Sequence, residues 1–190
     1  GLGMSADGSR LLVSGGEDEC IYTFAHKDGY LSDRKTIQVV DKEDEFVVSG
    51  VVPVGNGRVI VCGLLSDAIR LVNLDDAATE LTVQFPEESF PYTAVLDSSA
   101  SFAYVSLWGK SQVAKVDLRS GEIVGQFETR SHPTEMHLLD DDKLLLVACS
   151  NQNSIVLLDT ASGQQREVIQ TALYAEAANG STPSSLCVSP

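Results

Sequence analysis

The segment PYTAVLDSSASFAYVSLWGKSQVAKVDLRSGEIVGQF, residues 91–127, contains four short apolar runs separated by polar stretches. The runs are PYTAVL, FAYVSL, QVAKVDL and EIVGQF, and none of them shows helical periodicity. Asp, Ser and Gly in DSSAS and LRSG are typical of tight reversals. A proline such as Pro91 can open a strand but not lie inside one. The segment therefore predicts a unit of four short antiparallel strands.

The same unit recurs along the chain. Four apolar runs share a central valine, and successive valines are 48, 44 and 42 residues apart: Val13, Val61, Val105 and Val147. A second apolar run follows each of them, anchored eight residues later at Ile21, Ile69, Val113 and Ile155. A repeat of 42 to 48 residues with four strands matches one blade of a β-propeller.

We therefore predict an all-β fold, a β-propeller fragment of about four four-stranded blades within a single domain. The predicted blades span residues 1–48, 49–92, 93–134 and 135–183, and residues 184–190 are predicted to form the first strand of a following blade. Residues 2–5 are interpreted as the end of a first strand. These partial first strands at both ends favour a piece of a longer propeller of about six or seven blades, with a closed four-bladed ring as the alternative.

Composition excludes several classes of function. The 190 residues include 13 Lys and Arg against 27 Asp and Glu, a formal charge of −14. Such an acidic chain is unsuited to binding a nucleic-acid backbone or an anionic membrane. Its longest apolar stretch, residues 59–65, is far below the roughly 18 residues of a membrane-spanning helix, so no membrane insertion is predicted.

No catalytic, cofactor or metal motif is present in the sequence. It has no G-x-S-x-G, H-E-x-x-H or P-loop pattern and only three histidines. The four cysteines, at positions 20, 62, 149 and 187, are at least 38 residues apart and form no C-x-x-C pair, which favours small buried side chains over a zinc site or a disulfide framework. We therefore predict no catalytic residues, no cofactor and no metal.

The alternation of YVS-like and VxVxD-like strands resembles the YVTN-repeat propellers of the YncE type. Residues 11–32, 91–118 and 171–190 are similar to the propeller half of bacterial bifunctional proteins that join such a propeller to an alkaline-phosphatase-superfamily phosphoesterase. The resemblance covers essentially the whole chain, although Glu176 stands where a glycine is common. It implies a scaffold whose parent carries any chemistry outside this chain, in the periplasm or outside the cell.

Blade geometry places the loops after the second and fourth strands on one face, where we predict contact with a ligand or partner. The candidate residues on these loops are Tyr92, Trp108, His132, Asn151, Asn153, Tyr174 and Glu176. Residues 171–183 form a loop with eight extra residues, our first choice for contact with an adjoining domain. For Trp108 a partner anchor and a core cap are both open, and for His132 a titrating or metal-binding role and a solvated loop position are both open.

We therefore expect a non-catalytic scaffold or binding domain of a larger secreted or periplasmic protein. Its partner would be an adjoining domain of the same polypeptide, another protein or a small-molecule ligand. One alternative is a lactonase-like propeller enzyme of the 6-phosphogluconolactonase type, which needs acids and histidines at equivalent positions where Ser, Asn, Leu and Thr predominate here. The other alternative is a cell-surface adhesion module.

Overall fold

The computed structural model describes residues 1–40, 45–174, 178 and 180–189, and their regular secondary structure is entirely β. The sixteen strands are β1 Leu2–Met4, β2 Arg10–Ser14, β3 Cys20–Lys27, β4 Tyr30–Gln38, β5 Val48–Gly55, β6 Arg58–Gly63, β7 Ala68–Asn73, β8 Thr79–Gln84, β9 Pro91–Leu96, β10 Phe102–Leu107, β11 Gln112–Asp117, β12 Ile123–Glu128, β13 Pro133–Leu139, β14 Leu144–Cys149, β15 Ser154–Asp159 and β16 Gln165–Gln170. No helix in this described part of the chain is long and apolar enough to cross a membrane.

The strands form four sheets of four strands, each in chain order, so every sheet is an antiparallel meander. The repeat is also kept in the register of the second and third strands. The four equivalent valines pair in the same way: Val13 with Tyr22, Val61 with Arg70, Val105 with Ala114 and Val147 with Val156. This architecture confirms the predicted β-propeller fragment of four blades.

The chain divides into two compact units, Gly1–Thr93 and Ala94–Pro190, with the boundary inside β9. The core of the first unit includes Leu12, Ile21 and Phe46. The core of the second unit is built on Tyr104, Leu145 and further side chains of β11 to β15, with Phe127 of β12 packed among them. Each unit therefore has its own buried apolar cluster.

Burial explains why the strands of a sheet differ in sequence. The second strands β6 and β10 are buried along all but their first residue, which requires the nearly continuous apolar runs that mark the repeat. The fourth strands β8 and β16 are mostly exposed and polar, and β12 is half exposed, as expected of outer edge strands. Cys20, Cys62 and Cys149 are buried free thiols, which confirms their predicted packing role, and Cys187 is exposed.

Residues 184–189, predicted as a further strand, have no strand partner in the described part of the chain. A strand is defined by a paired neighbour, so this segment carries no regular structure. The amide of Leu186 donates a hydrogen bond to the Glu135 carboxylate on β13 at 3.1 Å. The segment therefore passes beside the first strand of the fourth sheet.

Candidate functional site

One polar residue with a left-handed backbone precedes the third strand of every sheet. These residues are Glu19, Asp67, Ser111 and Asn153, with φ of 54°, 52°, 56° and 48°. The carbonyl of each accepts a hydrogen bond from the first amide after the fourth strand, donated by Val39, Phe85, Thr129 and Thr171 respectively. We call this position the clamp position, because it ties two connections of the same sheet together.

Three side chains at the clamp position, those of Glu19, Asp67 and Asn153, reach further, into the connection that follows the fourth strand of their own sheet. The Glu19 carboxylate accepts a hydrogen bond from the Phe46 amide at 3.0 Å. The Asp67 carboxylate accepts hydrogen bonds from the amides of Glu88 and Phe90. These contacts provide acceptors for loop amides that would otherwise lose a partner on burial. Of these residues, Asn153 was predicted from the sequence as a site residue, whereas Glu19 and Asp67 were not. The sequence feature that could have identified all three is a polar residue just before each third strand.

Asn153 holds the long loop of the fourth sheet and is only 3% exposed. Its Nδ2 donates a hydrogen bond to the Ala178 carbonyl at 3.0 Å. Its Oδ1 accepts hydrogen bonds from the amides of Gly180 and Ser181, both at 2.8 Å, and from the Ser181 hydroxyl at 3.0 Å. The Thr171 and Ser181 hydroxyls are 2.9 Å apart. The described ends of this loop, residues 171–174 and 180–181, are therefore joined to each other through Asn153 and through the two hydroxyls.

The described tip of this loop exposes large apolar side chains. Leu173 is 97% exposed and Tyr174, one of the predicted site residues, is 66% exposed. Glu176, also predicted, lies outside the described residues, as do positions 175, 177 and 179.

Trp108 and His132 pack against each other. Their ring centroids are 3.8 Å apart at an interplanar angle of 64°, an edge-to-face contact, and both side chains are half-buried. The His132 Nδ1 lies 2.6 Å from the Ser131 hydroxyl. His132 has a left-handed backbone, but so do Val47 and Phe90 at the same position before β5 and β9, so that backbone shape belongs to the repeat. What distinguishes this position is the aromatic pair.

The turn between β14 and β15 connects this pair to the long loop. Its Ser150 amide donates a hydrogen bond to the His132 carbonyl at 3.0 Å, and its Gln152 side chain accepts one from the Ser131 amide at 3.3 Å. Asn151, another predicted residue, is exposed in the same turn, and Asn153 closes it. One contiguous group in the second unit, which we call the loop cluster, thus comprises Trp108, residues 131–132, the turn 150–153 and the described residues of the long loop, 171–174, 178, 180 and 181.

The remaining predicted residue, Tyr92, belongs to the first unit. It lies on β9 and is 38% exposed. Its main chain passes so close to β5 that a Cβ at Gly50 would lie 2.8 Å from the Tyr92 carbonyl oxygen. Tyr92 therefore belongs to the first unit, whereas the loop cluster belongs to the second.

Two further features concern the chemistry of the chain. The first unit has an open groove of about 810 Å³, bounded by the β3–β4 hairpin and residues 74–77, with Arg10, Lys35 and Asp33 in its lining. Within the described residues, no group of three or more His, Cys, Asp and Glu side chains is placed to hold a metal ion. The sequence analysis did not identify the groove, because its lining is spread over two sheets.

Solved structures share this fold. The chain is similar to hydrazine synthase from Kuenenia stuttgartiensis, with a TM-score of 0.72 and 21% identity over 88% of this chain and 47% of that chain. It is also similar to selenomethionine-substituted virginiamycin B lyase from Staphylococcus aureus, with a TM-score of 0.71 and 18% identity over 89% and 54% of the two chains. A catalytically inactive variant of that lyase with quinupristin gives a TM-score of 0.74 and 18% identity over 94% and 56%.

The chain spans about half the length of these solved structures. No protein-family model matches the sequence, and no curated protein matches it. At such identities the likeness shows the fold, a β-propeller fragment, and the loop cluster has to be interpreted from its own residues.

Proposed function

We propose that this chain is a non-catalytic recognition module of a larger protein outside the cytoplasm, and that its loop cluster binds an adjoining domain or another protein. The observation that carries the proposal is the exposure of Leu173 and Tyr174 on a loop whose ends are joined. Burying one such side chain contributes about 1.5–3 kcal/mol. A closed loop that keeps two of them adjacent in water offers that free energy to a partner.

The Trp108–His132 pair adds a second contact region to the same group. Aromatic side chains that are only half-buried are typical anchors of protein interfaces. The formal charge of −14 also favours a partner whose contact surface is basic, because opposite potentials accelerate association. The partner that fits is a polypeptide surface with an apolar recess for Leu173 and basic side chains around it.

The resemblance to YVTN-repeat propellers joined to a phosphoesterase supports one form of this proposal. In that form the adjoining domain carries the chemistry and the propeller holds or orients it, in the periplasm or at the cell exterior. The fold of the solved structures is compatible with this role but does not distinguish it from others.

Photocrosslinking in the full-length natural polypeptide tests the proposal. A benzophenone amino acid would replace Leu173 and, as a matched control, Tyr30, which is 77% exposed at the tip of the β3–β4 hairpin in the first unit. We expect irradiation to attach position 173 to one defined segment of an adjoining domain or of a single protein, with no such adduct from position 30. Equal and scattered adducts from the two positions would contradict the proposal.

A further inference from the structure

We infer that Asn153 is a positioning residue that holds the described ends of the long loop, residues 171–174 and 180–181, in their binding arrangement before any partner arrives. The inference rests on the proposed function, because it assigns a role in the contact made by Leu173. Asn153 itself is buried and would not touch the partner. Its effect would be exerted through the loop that it holds.

Both limbs of the loop depend on this one residue. The Asn153 carbonyl accepts a hydrogen bond from the Thr171 amide at 2.7 Å, which fixes the limb that leaves β16. The Asn153 side chain fixes the returning limb through Ala178, Gly180 and Ser181. Because the two anchors lie on one residue, the separation of the limbs is set by a single backbone position.

The other sheets show why this residue is asparagine. Asp67 holds the connection that follows β8 with carboxylate oxygens alone, because the groups it meets are two amides. The fourth sheet presents an additional acceptor, the Ala178 carbonyl, and the Asn153 Nδ2 donates a hydrogen bond to it. An amide side chain provides that donor and an acceptor together, so the choice of Asn matches the longer loop.

A preformed loop increases affinity by removing an ordering cost. The apparent dissociation constant rises in inverse proportion to the fraction of molecules whose loop has the binding shape. Release of the returning limb would therefore weaken the contact of Leu173, although no contacting side chain is changed. We expect a weakening of about tenfold or more, because several hydrogen bonds are lost together.

Hydrogen exchange of the full-length protein, followed by mass spectrometry, measures the loop directly. Asn153→Gly removes the side chain and tolerates the left-handed backbone at φ 48°. We expect exchange of the Gly180 and Ser181 amides to become about tenfold faster. Asn153→Asp keeps acceptors for both amides, as Asp67 does, but loses the donor to the Ala178 carbonyl, so it is expected to restore part of the protection. The matched control is Asn151→Gly, an exposed change in the same turn, which should leave the exchange unchanged.

Crosslinking from position 173 in the same variants separates positioning from simple structure. We expect the yield to fall in Asn153→Gly and to recover in part in Asn153→Asp, while the emission of Trp108, the single tryptophan, stays constant. Unchanged exchange at residues 180 and 181, or faster exchange throughout the fourth sheet, would overturn the positioning role. If position 173 of the unmodified protein forms no adduct while the exchange result holds, the proposed contact fails and Asn153 remains only a loop clamp.

Discussion

The carboxylate of Asp67 accepts a hydrogen bond at 2.9 Å from the main-chain amide of Phe90, 23 residues further along the chain. Its other oxygen accepts one from the Glu88 amide at 2.8 Å. A single side chain therefore fixes the connection that leads from β8 into β9. Asp67 is buried and has a left-handed backbone. Its conformation is therefore the one required at the clamp position, and its side-chain contacts are those required by this connection.

Replacement of Asp67 tests how much this clamp stabilises the fold. Asp67→Ala leaves two loop amides without their acceptor and is expected to lower the free energy of unfolding by about 2–4 kcal/mol. The control is Asp28→Ala, because Asp28 has the same φ of 52° but is exposed in the β3–β4 turn. Urea unfolding of both variants measures the difference. Equal losses would show that backbone conformation, and not the hydrogen bonds, accounts for the effect.

Gly163 permits a similar separation of backbone conformation from packing. Its φ is 72°, and an added Cβ would lie 2.6 Å from the ring of Phe127. Gly8 has a φ of 69° with nothing within 4 Å of such a Cβ. We expect Gly8→Ala to cost about 1 kcal/mol, and Gly163→Ala to cost about 1–3 kcal/mol more because a core ring must shift. Thermal unfolding of the two variants measures the difference. Equal midpoints would exclude a packing contribution at Gly163.

The four sheets could be predicted from sequence because each blade repeats the same strand order and apolar spacing. Of the clamp residues only Asn153 was predicted, although each is polar and precedes a third strand. Glu19 reaches an amide 27 residues away, Asp67 reaches amides 21 and 23 away, and Asn153 reaches amides 27 and 28 away. The loop lengths differ, so no fixed spacing reveals the partners. Their recognition requires the folded path of the chain.

The loop cluster was predicted only in part for a related reason. Asn151 and Asn153 lie two residues apart in one turn, yet the first is exposed and the second is almost fully buried. The buried position 153 has a left-handed backbone, which the sequence does not specify. Similarly, the sequence left two interpretations open for Trp108 and two for His132. The two rings contact each other, so both side chains are half-buried parts of one surface.

Thiol reactivity should distinguish the buried cysteines from the exposed one. Burial raises the pKa of the Cys62 thiol to about 12 and that of the Cys149 thiol to about 11, so both are protonated at pH 8 as well as inaccessible. We expect iodoacetamide to label only Cys187 in the folded protein and all four cysteines in urea. Mass spectrometry counts the adducts, and Cys187→Ser is the control that should show none before unfolding. Labelling of Cys62 in the folded state would contradict this packing.

Acid should weaken the fold through Asp159, at the end of β15. The Arg166 guanidinium and the Ser162 amide hold the pKa of the Asp159 carboxyl well below its ordinary value of 3.8. A carboxyl whose pKa is lowered by folding stabilises the folded state at pH values above its unfolded pKa. That contribution is lost as the pH falls from about 4 toward the folded pKa.

We therefore expect Asp159→Asn to be less stable than the unmodified protein at pH 7, and the two unfolding curves to converge as the pH falls below about 3. Urea unfolding across that pH range measures the effect. Asp141→Asn, an exposed change in the β13–β14 turn, is the control and should keep the acid sensitivity of the parent. Only an interaction of the charged carboxylate disappears on protonation. A difference in unfolding free energy between Asp159→Asn and the parent that stays constant at every pH would therefore contradict this contribution of the ionised carboxylate.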